Sequence, residues 1–122
     1  MDSKQIEKIL QIEMNELVSK IKTATNSTDG DFKSRESAFR TNPETGIFEG
    51  YTAVRFLNYP EQRDNLNNAI EKFKSEFNKD VLVKSNYFDD IEMDKVTVAL
   101  GVNGPEDYNK IKEADKKTGK ML

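Results

Sequence analysis

The chain has 122 residues, 35% of them hydrophobic and 34% charged, with a mean hydropathy of −0.79; this is one domain's worth of sequence with a modest core. It contains no His and no Cys, which excludes imidazole bases, thiolate nucleophiles, zinc fingers, iron–sulfur sites and disulfides. The net charge of −3 is spread evenly, −1, 0, −2 and 0 over residues 1–30, 31–60, 61–90 and 91–122, without the basic stripe of a dedicated nucleic-acid binder.

Residues 3–23 read as a helix. Ile6, Ile9, Leu10, Met14, Leu17, Val18 and Ile21 recur at helical spacing, and Ser3 is a candidate N-cap. These side chains cover an arc about 180° wide, broader than the ~100° stripe of a helix lying on one surface. Two neighbours are therefore expected. Either both belong to this domain, or Ile6, Leu10, Met14, Leu17 and Ile21 form a self-association face for a homodimer. The heptad-like run is under two heptads long, too short for a coiled coil. The charged N-terminal segment has no apolar run of a secretory signal, and no stretch approaches the roughly 18 apolar residues of a membrane helix. Together with the absence of Cys, this gives the expectation of a small soluble protein, cytoplasmic and without membrane contact.

Residues 24–33, rich in Thr, Asn, Ser and Asp and containing Gly30, read as a linker. A hairpin follows. Its first strand covers 37–40, although 31–39 also suits a helical turn. Pro43 and Gly46 provide the turn. Residues 47–57 alternate: Phe48, Thr52, Val54 and Phe56 share one face, and Ile47, Tyr51, Ala53 and Leu57 share the other with Glu49 and Arg55. Gly50 suggests a bulge. A second helix starts near Asn58, its expected N-cap, with Pro60 in the first turn and an apolar stripe of Leu66, Ala69, Ile70, Phe73 and Phe77. Residues 81–88 and 95–102 read as two more strands joined around Asp89 and Asp90. A short helix begins at Pro105, with Tyr108, Ile111 and Ala114 inward, and residues 117–122 read as a frayed tail.

The order α-ββ-α-ββ-α implies an α+β fold, with a mostly antiparallel sheet of about four strands, two main helices and a short C-terminal one. From residue 51 the order β-α-β-β-α matches five sixths of a ferredoxin-like unit. The domain organisation is one unit: helix 3–23, linker 24–33, body 34–116, tail 117–122. The element order αββ occurs twice without a sequence repeat.

Phe32, Lys33, Arg35, Phe39 and Arg40 form a basic, aromatic cluster, with Arg55 on the next strand; all four Arg residues fall between Arg35 and Arg63. Arg supplies a planar fork and a stacking face, and Arg with aromatics is enriched at interface hot spots. Arg35, Phe39, Arg40 and Arg55 are therefore the expected partner-binding surface. The ordinary alternative puts the Phe side chains in the core and pairs the Arg side chains with Glu36, Glu44 or Glu49. Asp89, Asp90, Glu92 and Asp94 hold four carboxylates in six residues, a weak metal candidate that lacks the Gly and late Glu of a calcium loop. The corner Asn58-Tyr59-Pro60 is a weak anion candidate, opposed by Glu61. No nucleophile elbow or phosphate loop is present.

These features point to a non-enzymatic protein-interaction module without cofactors, whose partner is another protein or itself. The alternative is a weak single-stranded nucleic-acid binder using the same patch; a third reading is a metal-dependent hydrolase at the acidic turn. Lys and Asn supply 26 of 122 residues, a bias common in AT-rich genomes, and the size and composition fit an accessory or inhibitor protein of a bacterium or phage.

Overall fold

A computed structural model describes residues 2–27, 32 and 34–118. Its elements are α1 (Ser3–Thr25), β1 (Ser34–Thr41), β2 (Phe48–Asn58), α2 (Arg63–Phe77), β3 (Leu82–Phe88), β4 (Met93–Gly101) and α3 (Asp107–Thr118). The order is the expected α-ββ-α-ββ-α, and the four strands form one antiparallel sheet in the order β1-β2-β4-β3. Two αββ halves meet where β2 pairs with β4, about the opposed Ala53 and Ala99. No strand follows α3 among the described residues. Beside β2, the outer place that a closing ferredoxin-like strand would take is held by β1, and α3 lies on the face opposite α2.

Both long helices cover one face of the sheet. Leu10, Met14, Leu17, Val18 and Ile21 of α1 pack with Leu66, Ala69, Ile70 and Phe73 of α2 and with Val54, Phe56, Val96, Val98 and Leu100 of the central strands. The part of the arc formed by Leu10, Met14, Leu17, Val18 and Ile21 is thus consumed inside the chain, by α2 and by the sheet. Leu10, Met14, Leu17 and Ile21 are inaccessible and cannot form the self-association face; Ile6 is only half-buried, and the exposed apolar side chains of α1 are Ile9 and Ile12. Surface ion pairs Lys20–Glu76 (2.9 Å) and Lys79–Glu13 (2.8 Å) join the two helices, at the modest value such pairs have in water.

The second face carries a smaller cluster of Tyr51, Ala53, Ala99, Tyr108 and Ile111, covered by α3. Small residues at the sheet centre let α3 approach, and Tyr51 meets Tyr108 edge to face with ring centroids 4.9 Å apart. No helix among the described residues is long and apolar enough to cross a membrane.

Several boundaries differ from the sequence reading. Asp2, not Ser3, caps α1: its side chain accepts from the Gln5 N–H (2.9 Å) while Gln5 accepts from the Asp2 N–H (3.1 Å). Asn58 remains in β2, buried, and the chain enters α2 through a 3-10 turn at Pro60–Gln62. The ambiguous segment is a strand from Ser34. Gly46 takes φ +73°, as its turn requires. Gly50 marks no bulge, because register runs unbroken through Phe39↔Gly50; a Cβ there would press into the Phe39 ring, so the constraint is space. Ala24 and Thr25 extend α1 into the expected linker, and Phe32 is buried with its ring 4.6 Å from Phe56. Residues 28–31, 33 and 119–122, including Gly30 and most of the expected tail, lie outside the described residues.

Candidate functional site

Alternation along β1 divides the expected partner-binding residues between the two faces of the sheet. Arg35 and Phe39 lie on the α1 face, opposite Val54 and Gly50. Arg35 donates to Asn15 Oδ1 on α1 (2.9 Å), and Phe39 stacks on Phe48 while packing against the main core. Arg40 and Arg55 lie on the α3 face. Arg40 Nε donates to the buried Glu49 (2.8 Å), and Arg55 pairs with Glu36 and donates to the Tyr108 hydroxyl (2.9 Å). The four residues do not converge into one patch.

Glu36 is the centre of a network on the α3 face. It accepts from the Tyr51 hydroxyl (2.7 Å), from Lys112 of α3 (3.0 Å) and from Arg55. Partial burial pushes its carboxyl up, but the hydrogen bonds from Tyr51, Lys112 and Arg55 outweigh that and hold it at about 2. Burial, reinforced by the Glu36 carboxylate, pushes the Tyr51 phenol well above its usual range. A carboxylate this acidic and a phenol this basic are both far from neutral pH. Neither is poised to move a proton, which is what general acid–base work requires. The network fastens α3 to the sheet, and Lys84 and Lys112 over the Tyr108 ring add to it (5.3 and 5.5 Å).

The acidic turn does not gather its carboxylates. Asp94 lies at the start of β4, nearly inaccessible, and takes both arms of Arg63 from α2 (2.7 and 2.8 Å). These bonds lower its pKa, against the smaller effect of burial. No group of three or more Asp or Glu among the described residues is placed to hold a metal ion.

What the turn does instead is meet the Tyr59-Pro60 corner. Tyr59, Pro60, Glu61, Tyr87, Ile91 and Glu92 line a shallow groove of about 520 Å³. Its apolar members are bare: Tyr59 is 59% exposed, Tyr87 48% and Ile91 42%. Arg63, anchored on Asp94, sits over the Tyr87 ring at 5.8 Å, so its planar group is held rather than mobile. The groove wall is stiffened by Pro60 and by Glu92, which takes a left-handed conformation at φ +53° to close the β3–β4 turn. Comparison with family models, with curated proteins and with solved structures finds no match for this chain.

Two segments singled out separately in the sequence, Asn58-Tyr59-Pro60 and Asp89–Asp94, are thus neighbours, and the apolar side chains of Tyr59 and Ile91 face solvent there beside the exposed Glu92. Tyr87 and Ile91 were not recognisable as a surface. The available signal was the pairing of apolar neighbours Leu82-Val83 and Tyr87-Phe88 in one strand, which forces apolar side chains onto both faces of the sheet.

Proposed function

We propose that this chain is a non-enzymatic protein-binding module of the cytosol, contacting its partner through the Tyr59–Tyr87–Ile91 groove, with Arg63 over the Tyr87 ring. The observation that carries the reading is the exposed aromatic pair beside an anchored Arg, since Tyr and Arg on a rigid base are the residue types that dominate interface energetics. The Arg/aromatic residues of β1 and β2 support it by contrast, being engaged within the chain. An accessory or inhibitor role in a bacterium or phage is compatible with the size.

The test is capture of a partner from an extract of the source cells by the immobilised chain. A stoichiometric protein identified by mass should be retained by the native chain and lost on Tyr59→Ala with Ile91→Ala. Both side chains are exposed, so the melting temperature should stay within about 2 °C. Retention unchanged by the double substitution would refute this surface. Tight retention of mixed single-stranded oligonucleotides at low salt, released steeply as salt rises, would refute the protein-partner reading.

A further inference from the structure

Among the described residues the sheet has two free edges, β1 and β3. Their chemistry differs. β1 carries Arg35, Glu36 and Arg40, and charges on an edge discourage pairing with another strand. β3, Leu82-Val83-Lys84-Ser85-Asn86-Tyr87-Phe88, carries one charge, no Pro and no bulge, and its residues from Val83 on are all exposed. Such an edge is a template for strand addition.

Hydrogen-bond parity tells which groups of β3 are unpaired. Val102 N–H donates to Gly50 C=O (2.9 Å), and Asn42 N–H donates to Ile47 C=O (2.8 Å). In the continuous registers observed, this directs even-numbered residues of β4 toward β2 and odd-numbered ones toward β3. Leu82, Lys84, Asn86 and Phe88 therefore bond to β4, while the N–H and C=O groups of Val83, Ser85 and Tyr87 point outward.

We infer that β3 pairs antiparallel with β3 of a second copy of this chain, in a twofold register centred on Ser85. This rests on the proposed binding role, of which it names one partner. The strand is self-complementary about that point: Val83 faces Tyr87 of the second copy, Leu82 faces Phe88, and Lys84 faces Asn86. Each exposed apolar side chain meets an apolar one, and no like charges are opposed. The outward groups also match, because the pairs Val83/Tyr87 and Ser85/Ser85 each exchange two backbone hydrogen bonds in this register. A one-residue shift would put outward backbone groups opposite inward ones. Self-matching of this kind is what a closed twofold interface requires and a linear peptide does not. Val83 (40% exposed) and Tyr87 on one face and Phe88 on the other are left uncovered by the helices, so a copy can approach along the whole strand.

The test is sedimentation equilibrium of the full chain from about 1 µM to about 1 mM, the span of weak to moderate self-association. The native chain should reach twice 14.0 kDa within that range. Ser85→Pro removes one outward N–H and no bond to β4, and Val83→Lys places a charge on an already exposed site; both should remain at 14.0 kDa. A native chain that stays at 14.0 kDa throughout overturns the inference, as does a dimer indifferent to both substitutions. Should either variant unfold, amide exchange of the native chain decides: Val83, Ser85 and Tyr87 slow with rising concentration if the inference holds and stay fast if it fails. The outcome is separable from that of the proposed function, since Tyr59 and Ile91 lie outside the paired strand.

Discussion

Gly101→Ala is expected to lower stability by about 3 kcal/mol, the upper end of the usual range for overpacking. Gly101 ends β4, and the turn into α3 folds back directly over it. An added Cβ would fall well inside contact distance of the Gly104 carbonyl and would reach 3.1 Å from Asp107 Cβ. The first obstacle is backbone, which cannot rotate away as a side chain could. Asp107 is inaccessible and holds the same turn, its Oδ2 accepting from the N–H groups of Gly50 and Asn103 (both 3.2 Å). Any shift of the turn therefore strains the junction of β2, β4 and α3 together. Urea unfolding gives the value: a midpoint unchanged from the native chain would mean that the turn is not seated as described.

The second large effect is a pH-dependent one. Glu36 has an ordinary carboxyl value of 4.5 in the unfolded chain and about 2 in the folded one. A lowered folded value stabilises above pH 4.5, and that stabilisation is lost as pH falls toward 2. The shift corresponds to ~3.4 kcal/mol, which solvent screening at a side chain 32% exposed reduces to about 1–2 kcal/mol. Glu36→Gln should be less stable than the native chain by that amount at pH 7, and the gap should nearly close by pH 2. Asp94, lowered by Arg63, adds to the acid sensitivity of both proteins alike and cancels in the comparison. A gap that is the same at pH 7 and pH 2 would show that the Tyr51, Arg55 and Lys112 contacts do not act on the charge of Glu36. A loss confined to pH 7 would also localise the attachment of α3, because Lys112 is the helix's direct contact with Glu36.

The architecture was largely legible in the residues. The helical stripe of Leu66, Ala69, Ile70 and Phe73 and the alternation of Thr52, Val54 and Phe56 against Tyr51 and Ala53 lie where those periods put them. Two kinds of information were not local. The breadth of the apolar arc on α1 gave the number of its neighbours but not their ownership, and α2 with the sheet supplied both. The side-chain types of Arg35, Arg40 and Arg55 suggested an interface, yet strand alternation separates them and Asn15, Glu49 and Glu36 satisfy them. Pairings across 20 and 9 positions of sequence are not readable from composition. The Tyr59 groove escaped notice for the converse reason. Its two walls are 28 residues apart at Tyr59 and Tyr87, and only the antiparallel β2–β4–β3 register, through Asn58↔Asp94 and Tyr87↔Asp94, brings them together.

Because Asp94 is the shared neighbour in both registers, the Arg63–Asp94 pair ties the groove to the sheet. A recognition surface so fixed loses little entropy on binding, which favours an unchanging shape over a loop that orders late. The most direct measurement is amide hydrogen exchange of the isotope-labelled chain with and without its captured partner. Protection should concentrate at Tyr59, Glu61, Arg63, Tyr87, Ile91 and Glu92, and the amides around Arg35 and Arg40 should be unaffected. Protection concentrated on β1, or on the face under α3, would contradict this account.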